Sequence, residues 1–306
     1  MPNTNVGGRV LAGLLLIASA LKGITPATAE PPTSCSKCAE WNVSQPPFKV
    51  YGNTYYVGVH GLSSILITSP QGHVLIDGDV AESAPKIAAS IRELGFRVED
   101  IKLILNTHVH YDHAGGIAEL QRLSGAQVAA SKPTAKALEA GHSGPDDPQF
   151  GILLDIPRVA HVKVIQDGET LHAGALAVTA HSTPGHTPGG TSWTWQSCEQ
   201  QHCLNMVYAD SLSAVSADNF RFTDSPTYPH AREDFAKSFA TLSALPCDIL
   251  LTPHPGASDM WERLEKRTKG DANAFVDSTA CKHYADDGRA GLEKRLAQEA
   301  AAGKAR

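Results

Sequence analysis

Six consecutive residues, His108-Val109-His110-Tyr111-Asp112-His113, limit what this chain can become more than any other feature. Four potential metal ligands fall inside them, directly after the apolar run Ile101-Lys102-Leu103-Ile104-Leu105. A run of that length ending at a turn signal reads as a buried strand. Asn106 and Thr107 end it, and Ala114-Gly115-Gly116 opens a helix expected through Leu123. The cluster is therefore predicted on a strand-to-helix loop, where a rigid scaffold aims side chains at a site. Imidazole and carboxylate together suit zinc, and three protein ligands per zinc leave a position open for water. One histidine in such a loop would be an ordinary surface residue. Three with an aspartate exceed what one metal needs, so a two-metal site is expected. The pattern is not the helical H-E-x-x-H zinc motif.

Two later histidines have a comparable setting. His186 lies in Thr183-Pro184-Gly185-His186-Thr187-Pro188-Gly189-Gly190, between two strand-like runs. His254 lies in Thr252-Pro253-His254-Pro255-Gly256, right after Ile249-Leu250-Leu251. Glycine and proline fix backbone direction, which suits a side chain that must point one way. Each alone would pass for a plain loop histidine; beside the first cluster they become the fifth and sixth ligands of a dizinc site. Asp77, in Asp77-Gly78-Asp79, is expected to cap its loop through hydrogen bonds and not to bind metal.

The N-terminus has a separate purpose. Arg9, the apolar run Val10 to Leu21 and Ala27-Thr28-Ala29 make a secretory signal peptide over 1–29, cleaved after Ala29. The run is too short and interrupted for a membrane span, and no cysteine follows the cut, so no lipid anchor is expected. Cleavage removes Arg9 and Lys22 and takes the net charge from −6 to −8. An acidic mature chain without a basic cluster argues against nucleic acid as a partner. Export also explains the cysteines: an even number in an exported chain favours disulfides. Of the fifteen formal pairings of six cysteines, Cys198 with Cys203 could close a hairpin, and Cys247 with Cys281 would then tie the last strand to the C-terminal segment. Cys35 and Cys38 could pair with each other or elsewhere. The mature protein is expected in the periplasm, as a monomer.

Beyond residue 48, strands are expected at Lys49–Tyr51, Tyr55–Val59, Ser64–Thr68 and Val74–Asp77, then a helix Ala84–Leu94. Strand–helix pairs follow at 101–123 and 127–140, then a Gly/Pro/Asp-rich loop over 141–158 that reads as a wall or lid of a site. A second half restarts with strands at His161–Ile165, Ala175–Ala180, Thr191–Trp195 and Met206–Ala209. It continues with a helix Arg232–Leu245, a strand Asp248–Leu251 and helices over 260–268 and 273–301. Strands first and helices after, twice, fit an α/β fold with two mixed sheets packed together and helices outside, an α/β/β/α sandwich. Residues 30–306 are expected to be one domain, with a solvated, fraying C-terminal helical tail after Tyr284.

His-x-His-x-Asp-His, a Gly-His-Thr loop and a late strand-end histidine together resemble the metallo-β-lactamase superfamily. Leu75-Ile76-Asp77-Gly78, His113 beside Asp112, Thr183 to Gly189, and Tyr208-Ala209-Asp210-Ser211-Leu212-Ser213 resemble its subclass B3, where a serine stands in place of the zinc-binding cysteine of B1 relatives. The resemblance implies that His108, His110 and His186 hold one Zn2+, and Asp112, His113 and His254 a second. It implies that Ser211 and Ser213 contact a substrate carboxylate, and it supports the Cys247–Cys281 pairing; the Cys35/Cys38 pair lies outside the family pattern. The expected activity is hydrolysis of the β-lactam amide of penicillins, cephalosporins and carbapenems by a zinc-bound hydroxide, giving antibiotic resistance. Asp112 would both bind metal and orient that hydroxide. The alternatives are a thioesterase or lactonase on the same scaffold, with Asp210 bridging the metals, and a non-catalytic exported zinc-binding protein.

Overall fold

The computed structural model describes residues 1–4 and 35–304. The expected signal peptide falls almost wholly outside these residues; residues 1–4 are exposed and irregular. Among the described residues, seven strands form the first sheet and five the second. The first sheet runs β1 (Phe48–Tyr51), β2 (Thr54–Tyr56), β3 (Ile65–Ile67), β4 (His73–Ile76), β5 (Ile101–Leu105), β6 (Gln127–Ser131) and β7 (Lys163–Ile165), in that spatial order. Pairing is antiparallel from β1 to β4 and parallel from β4 to β7. The second contains β8 (Thr170–Ala173), β9 (Leu176–Ser182), β10 (Thr191–Glu199), β11 (His202–Tyr208) and β12 (Ile249–Leu251), and only β11 and β12 run parallel.

Period-two alternation sends each strand's side chains into two layers. Leu103 and Leu105 of β5 point between the sheets, where they meet Trp193, Met206 and Leu251 of the second sheet. Ile104 points the other way, onto helices α2 (Ala84–Glu93), α4 (Ile117–Ser124) and α5 (Lys132–Ala140), and Ile101 joins that layer where the pairing with β4 shifts register at the start of the strand. In α2 the buried Ala84, Ile87, Ala88 and Ile91 recur at the spacing of one helical face. Val207, Ala209 and Leu250 cover the outer face of the second sheet with Phe235 and Phe239 of α6 (Ala231–Ala244) and Ala285 of α8 (Ala280–Lys304). With the short helices α1 (Cys38–Trp41) and α7 (Met260–Thr268), the result is an α/β/β/α sandwich. Because strands such as β5 are apolar on both faces, they read in sequence as continuous runs.

Several expectations need correction. Strand β8 was not expected: Thr170-Leu171-His172-Ala173 offers two buried apolar residues, too little pattern to register. β7 belongs to the first sheet and not to the second half. Residues 273–279 are not helical; Asp277 Oδ1 accepts from the Thr279 N–H and hydroxyl at 3.0 and 2.7 Å, a local turn that competes with a helix. Nor is α8 a solvated tail. The Tyr284 hydroxyl donates to the Asp210 carbonyl at 3.1 Å, Leu292 is buried, and Glu299 accepts from the Phe222 and Thr223 N–H groups at 3.0 Å. Disulfides join Cys35–Cys38, Cys198–Cys203 across the β10–β11 hairpin, and Cys247–Cys281 between the approach to β12 and the first turn of α8.

Candidate metal centre

After Leu105 the chain stays extended, so His108 and His110, two apart, project to one side. His110 then accepts from the His113 and Ala114 N–H groups at 3.0 and 2.8 Å, starting the one-turn helix α3 (Tyr111–Ala114). Asp112 and His113 therefore sit on a helical turn and not on a plain loop. That turn swings them to a neighbouring position, so four close-spaced residues serve two clusters.

Asp77 holds this loop. Its carboxylate accepts from Asn106 Nδ2, the Thr107 N–H and the Thr107 hydroxyl, all at 2.8 Å, although burial pushes its pKa up to about 7. Truncation to alanine would orphan three buried donors, at about 1–3 kcal/mol each. Asp77→Ala is therefore expected to lower stability by about 3 kcal/mol or more, and Asp77→Asn by less, in denaturant titrations of the metal-free protein. Equal losses from the two variants would contradict this role.

His186 arrives on the loop between β9 and β10. This loop is closed by Thr183 N–H to Gly190 O at 2.9 Å and by the Ser238 hydroxyl to Pro184 O at 2.6 Å. Gly185 there has φ +135° and faces the Phe235 ring, where a side chain would collide. His254 follows β12, with its carbonyl taking the Thr252 hydroxyl at 2.7 Å.

These residues form two triads. In each of His108/His110/His186 and Asp112/His113/His254, one ligand atom per residue lies within 4.8 Å of the others. The rest of the chain selects the inward nitrogen. His186 Nδ1 donates to the Ser213 carbonyl at 2.8 Å, leaving Nε2. His110 Nε2 lies 3.1 Å from Asp147 Oδ2, which leaves Nδ1, touched only by the Gln149 amide at 3.4 Å, as the nitrogen for a metal. His108 Nδ1 lies 2.7 Å from Asp210 Oδ1, and its Nε2 is buried with no partner. Gly190 permits this approach, since a Cβ there would lie 2.4 Å from Asp210 Oδ2.

The electrostatics fit a cation. Burial pushes His108 and His113 below their ordinary range and His186 down to about 3, so all three present neutral imidazoles, the form that binds metal. Burial also raises Asp210 well above its ordinary value, and a cation on the far side of the His108 ring would supply the missing positive charge. Asp112 differs: burial would raise it, but His113 and His254, each with Nε2 3.3 Å from Oδ2, hold it well below the carboxylate range. An orphaned imidazole nitrogen, neutral histidines and an ionised carboxylate make a donor set suited to two zinc ions.

All six residues singled out as ligands are thus brought together. Ser211, buried, and Ser213, exposed, line a groove of about 600 Å³ with His254, Tyr284 and Lys294. Asp210, the bridging candidate of the alternative reading, lies behind His108 and outside both triads. The Trp41 ring lies 5.7 Å from His254 and 6.3 Å from Tyr111, so the segment carrying Cys35–Cys38 forms a wall beside the second triad. Sequence reasoning missed Asp147 and the Ser213 carbonyl as partners of the histidines. The sequence shows Asp147 only as one of several acids in a Gly/Pro-rich loop, and its burial is visible only in the structure.

The family model described as the metallo-beta-lactamase superfamily matches residues 57–198. Among solved structures, the Rm3 metallo-beta-lactamase is 56% identical, with a TM-score of 0.86, over 87% of this chain and 99% of its own. MEM-A1, a subclass B3 metallo-beta-lactamase from a soil metagenome library, is 54% identical, with a TM-score of 0.84, over 85% and 99%. A hydroxyacylglutathione hydrolase of Anaeromyxobacter dehalogenans is 31% identical over 153 residues, 50% of this chain and 46% of that protein. The chain spans about half the length of the curated relatives it matches.

Proposed function

Because the chain belongs to the metallo-beta-lactamase superfamily, we propose that it is an exported dizinc hydrolase of subclass B3 type that opens the β-lactam amide of penicillins, cephalosporins and carbapenems, giving antibiotic resistance. The observation that carries the reading is the position of Asp210. A carboxylate bridging the triads would favour the thioesterase alternative, but Asp210 is engaged by His108, and the adjoining groove presents Ser211 and Ser213 instead.

His108, His110 and His186 would hold one zinc, and Asp112, His113 and His254 the other. Zinc supplies Lewis acidity and lowers the pKa of a coordinated water to ~7. The protein contributes the rest. Asp112, ionised, would orient the attacking water, take its proton, and return it to the lactam nitrogen as the C–N bond breaks. Ser211 and Ser213 offer hydroxyls to the substrate carboxylate. Trp41 and Tyr111 line one side of the second triad. The six cysteines, all paired among the described residues, suit an oxidising compartment such as the periplasm. No helix among the described residues is long and apolar enough to cross a membrane. A leader cleaved after Ala29 and a monomeric mature enzyme complete the proposal.

The test is hydrolysis of a carbapenem by the mature protein, followed in the ultraviolet with and without a zinc chelator. Turnover that the chelator abolishes and zinc restores is expected. A zinc-loaded sample without turnover would overturn the proposal. Likeness to hydroxyacylglutathione hydrolases supports one second reading, a thioesterase, and hydrolysis of a glutathione thioester in preference to any lactam would establish it.

A further inference from the structure

Between the end of α5 and β7 the chain crosses residues 141–158 with no helix or strand. Its base is fastened by Ile156 N–H to Gly141 O and Val159 N–H to Leu138 O, at 2.8 and 3.0 Å. Its middle exposes large apolar side chains, Phe150 at 48% and Ile152 at 59%. Unsecured, such a segment would gain little by lying against the body of the protein.

Three contacts hold the middle down: Ala217 N–H to Pro148 O at 2.9 Å, the Gln149 side-chain amide to His110 Nδ1 at 3.4 Å, and the buried contact between Asp147 and His110. Asp147 is built for the third. It is 3% exposed, and its two oxygens lie 3.1 and 3.4 Å from His110 Nε2. Oδ1 also accepts the Gln149 N–H at 2.8 Å, and its own N–H donates to Gly144 O at 3.0 Å, so the carboxylate is held in one orientation. A carboxylate on the outer nitrogen of an imidazole fixes the ring and raises the basicity of the other nitrogen.

We infer that Asp147 is a positioning residue that couples docking of the 141–158 loop to metal binding by the first triad. The inference rests on reading His108, His110 and His186 as a metal site, and it is independent of which bond the enzyme cleaves. Linkage makes the coupling reciprocal: if the docked loop tightens metal binding, bound metal tightens the docked loop by the same factor. Partners of this kind are worth about 10–100-fold in metal affinity.

The test uses the full mature protein in a His254→Ala background, which disables the second triad. Zinc affinity is measured by competition with a chromophoric chelator, and protection of residues 141–158 by amide hydrogen exchange with and without zinc. Asp147→Ala is expected to weaken zinc by about 10–100-fold, Asp147→Asn by less, and the exposed neighbour change Asp146→Asn not at all. Zinc should slow exchange across the loop in the parent protein and fail to do so in Asp147→Ala. A residue that merely supports the fold would not make loop protection depend on zinc. Unchanged affinity in both Asp147 variants overturns the inference, as does loop exchange that ignores zinc in the parent. Absence of zinc binding in the parent overturns the metal site as well, whereas failure of the mature protein with His254 intact to cleave lactams, with zinc coupling present, overturns only the proposed function.

Discussion

Asp112→Ala is expected to reduce kcat by about 10²–10⁴-fold, the range for loss of a positioned acid–base group, while leaving KM within a few-fold. Asp112 is the one carboxylate in either triad, and His113 and His254 keep it ionised in surroundings where burial alone would protonate it. The proposed substrate contacts lie elsewhere, on the groove lined by Ser211 and Ser213, so binding should survive the change. A loss confined to kcat marks an interaction made in the transition state. Steady-state kinetics on zinc-saturated protein, with metal content measured alongside, would decide it. Unchanged turnover would remove Asp112 from the mechanism, and a rise in KM alone would reassign it to substrate binding. Asp112→Asn separates its tasks: it keeps an oxygen ligand but cannot accept a proton, so metal content should recover more than turnover.

The largest stability effect is expected at Trp193. It is fully buried on β10 between the sheets, and its Nε1–H donates to the Asn106 carbonyl at 3.2 Å, beside the loop that leads to His108. Trp193→Ala leaves a cavity and an orphaned carbonyl, and such truncations cost about 3–5 kcal/mol. Against a total stability of about 5–15 kcal/mol, that is at least about a fifth. Tm should fall by roughly 10 °C, and zinc stoichiometry should drop at the temperature of assay. Trp193→Phe, which retains most of the packing, should lose markedly less. A Tm within a few degrees of the parent for Trp193→Ala would mean that the seam between the sheets tolerates repacking there.

What could be read in the sequence followed sequence separation. His108, His110, Asp112 and His113 are neighbours, and their pattern is visible without a fold. His186 and His254 were found because Pro and Gly frame them at strand ends. The partners that select the inward nitrogens carry no such mark. Asp147 lies 37 residues from His110, and Asp210 lies 102 from His108, and only the packing of separate elements brings them together. Asp210 was noticed in sequence as a bridging candidate, because it follows a strand; its engagement with His108 depends on Gly190, a close approach that no periodicity announces. The same limit applied to the fold. Strands apolar on both faces stood out, whereas β8, with two inward residues, did not. The C-terminal helix looked polar along its length, and its attachment through Tyr284, Leu292 and Glu299 uses few residues spread over many turns.

Each triad takes members from both sheets. His108 and His110 follow β5 of the first and His186 precedes β10 of the second; Asp112 and His113 belong to the first side and His254 follows β12 of the second. An ion held by either triad is therefore also a cross-link over the seam of the sandwich. The tie between positions 113 and 254 would close a far longer loop than Cys247–Cys281, whose separation is 34. Closing longer loops removes more freedom from the unfolded chain, and an ion that binds only the folded chain stabilises it by about 2.7 kcal/mol at a hundred times its Kd. Metal supply would then govern how long the protein survives as well as how fast it works. Faster limited proteolysis after chelation would register that dependence, and equal rates would deny it.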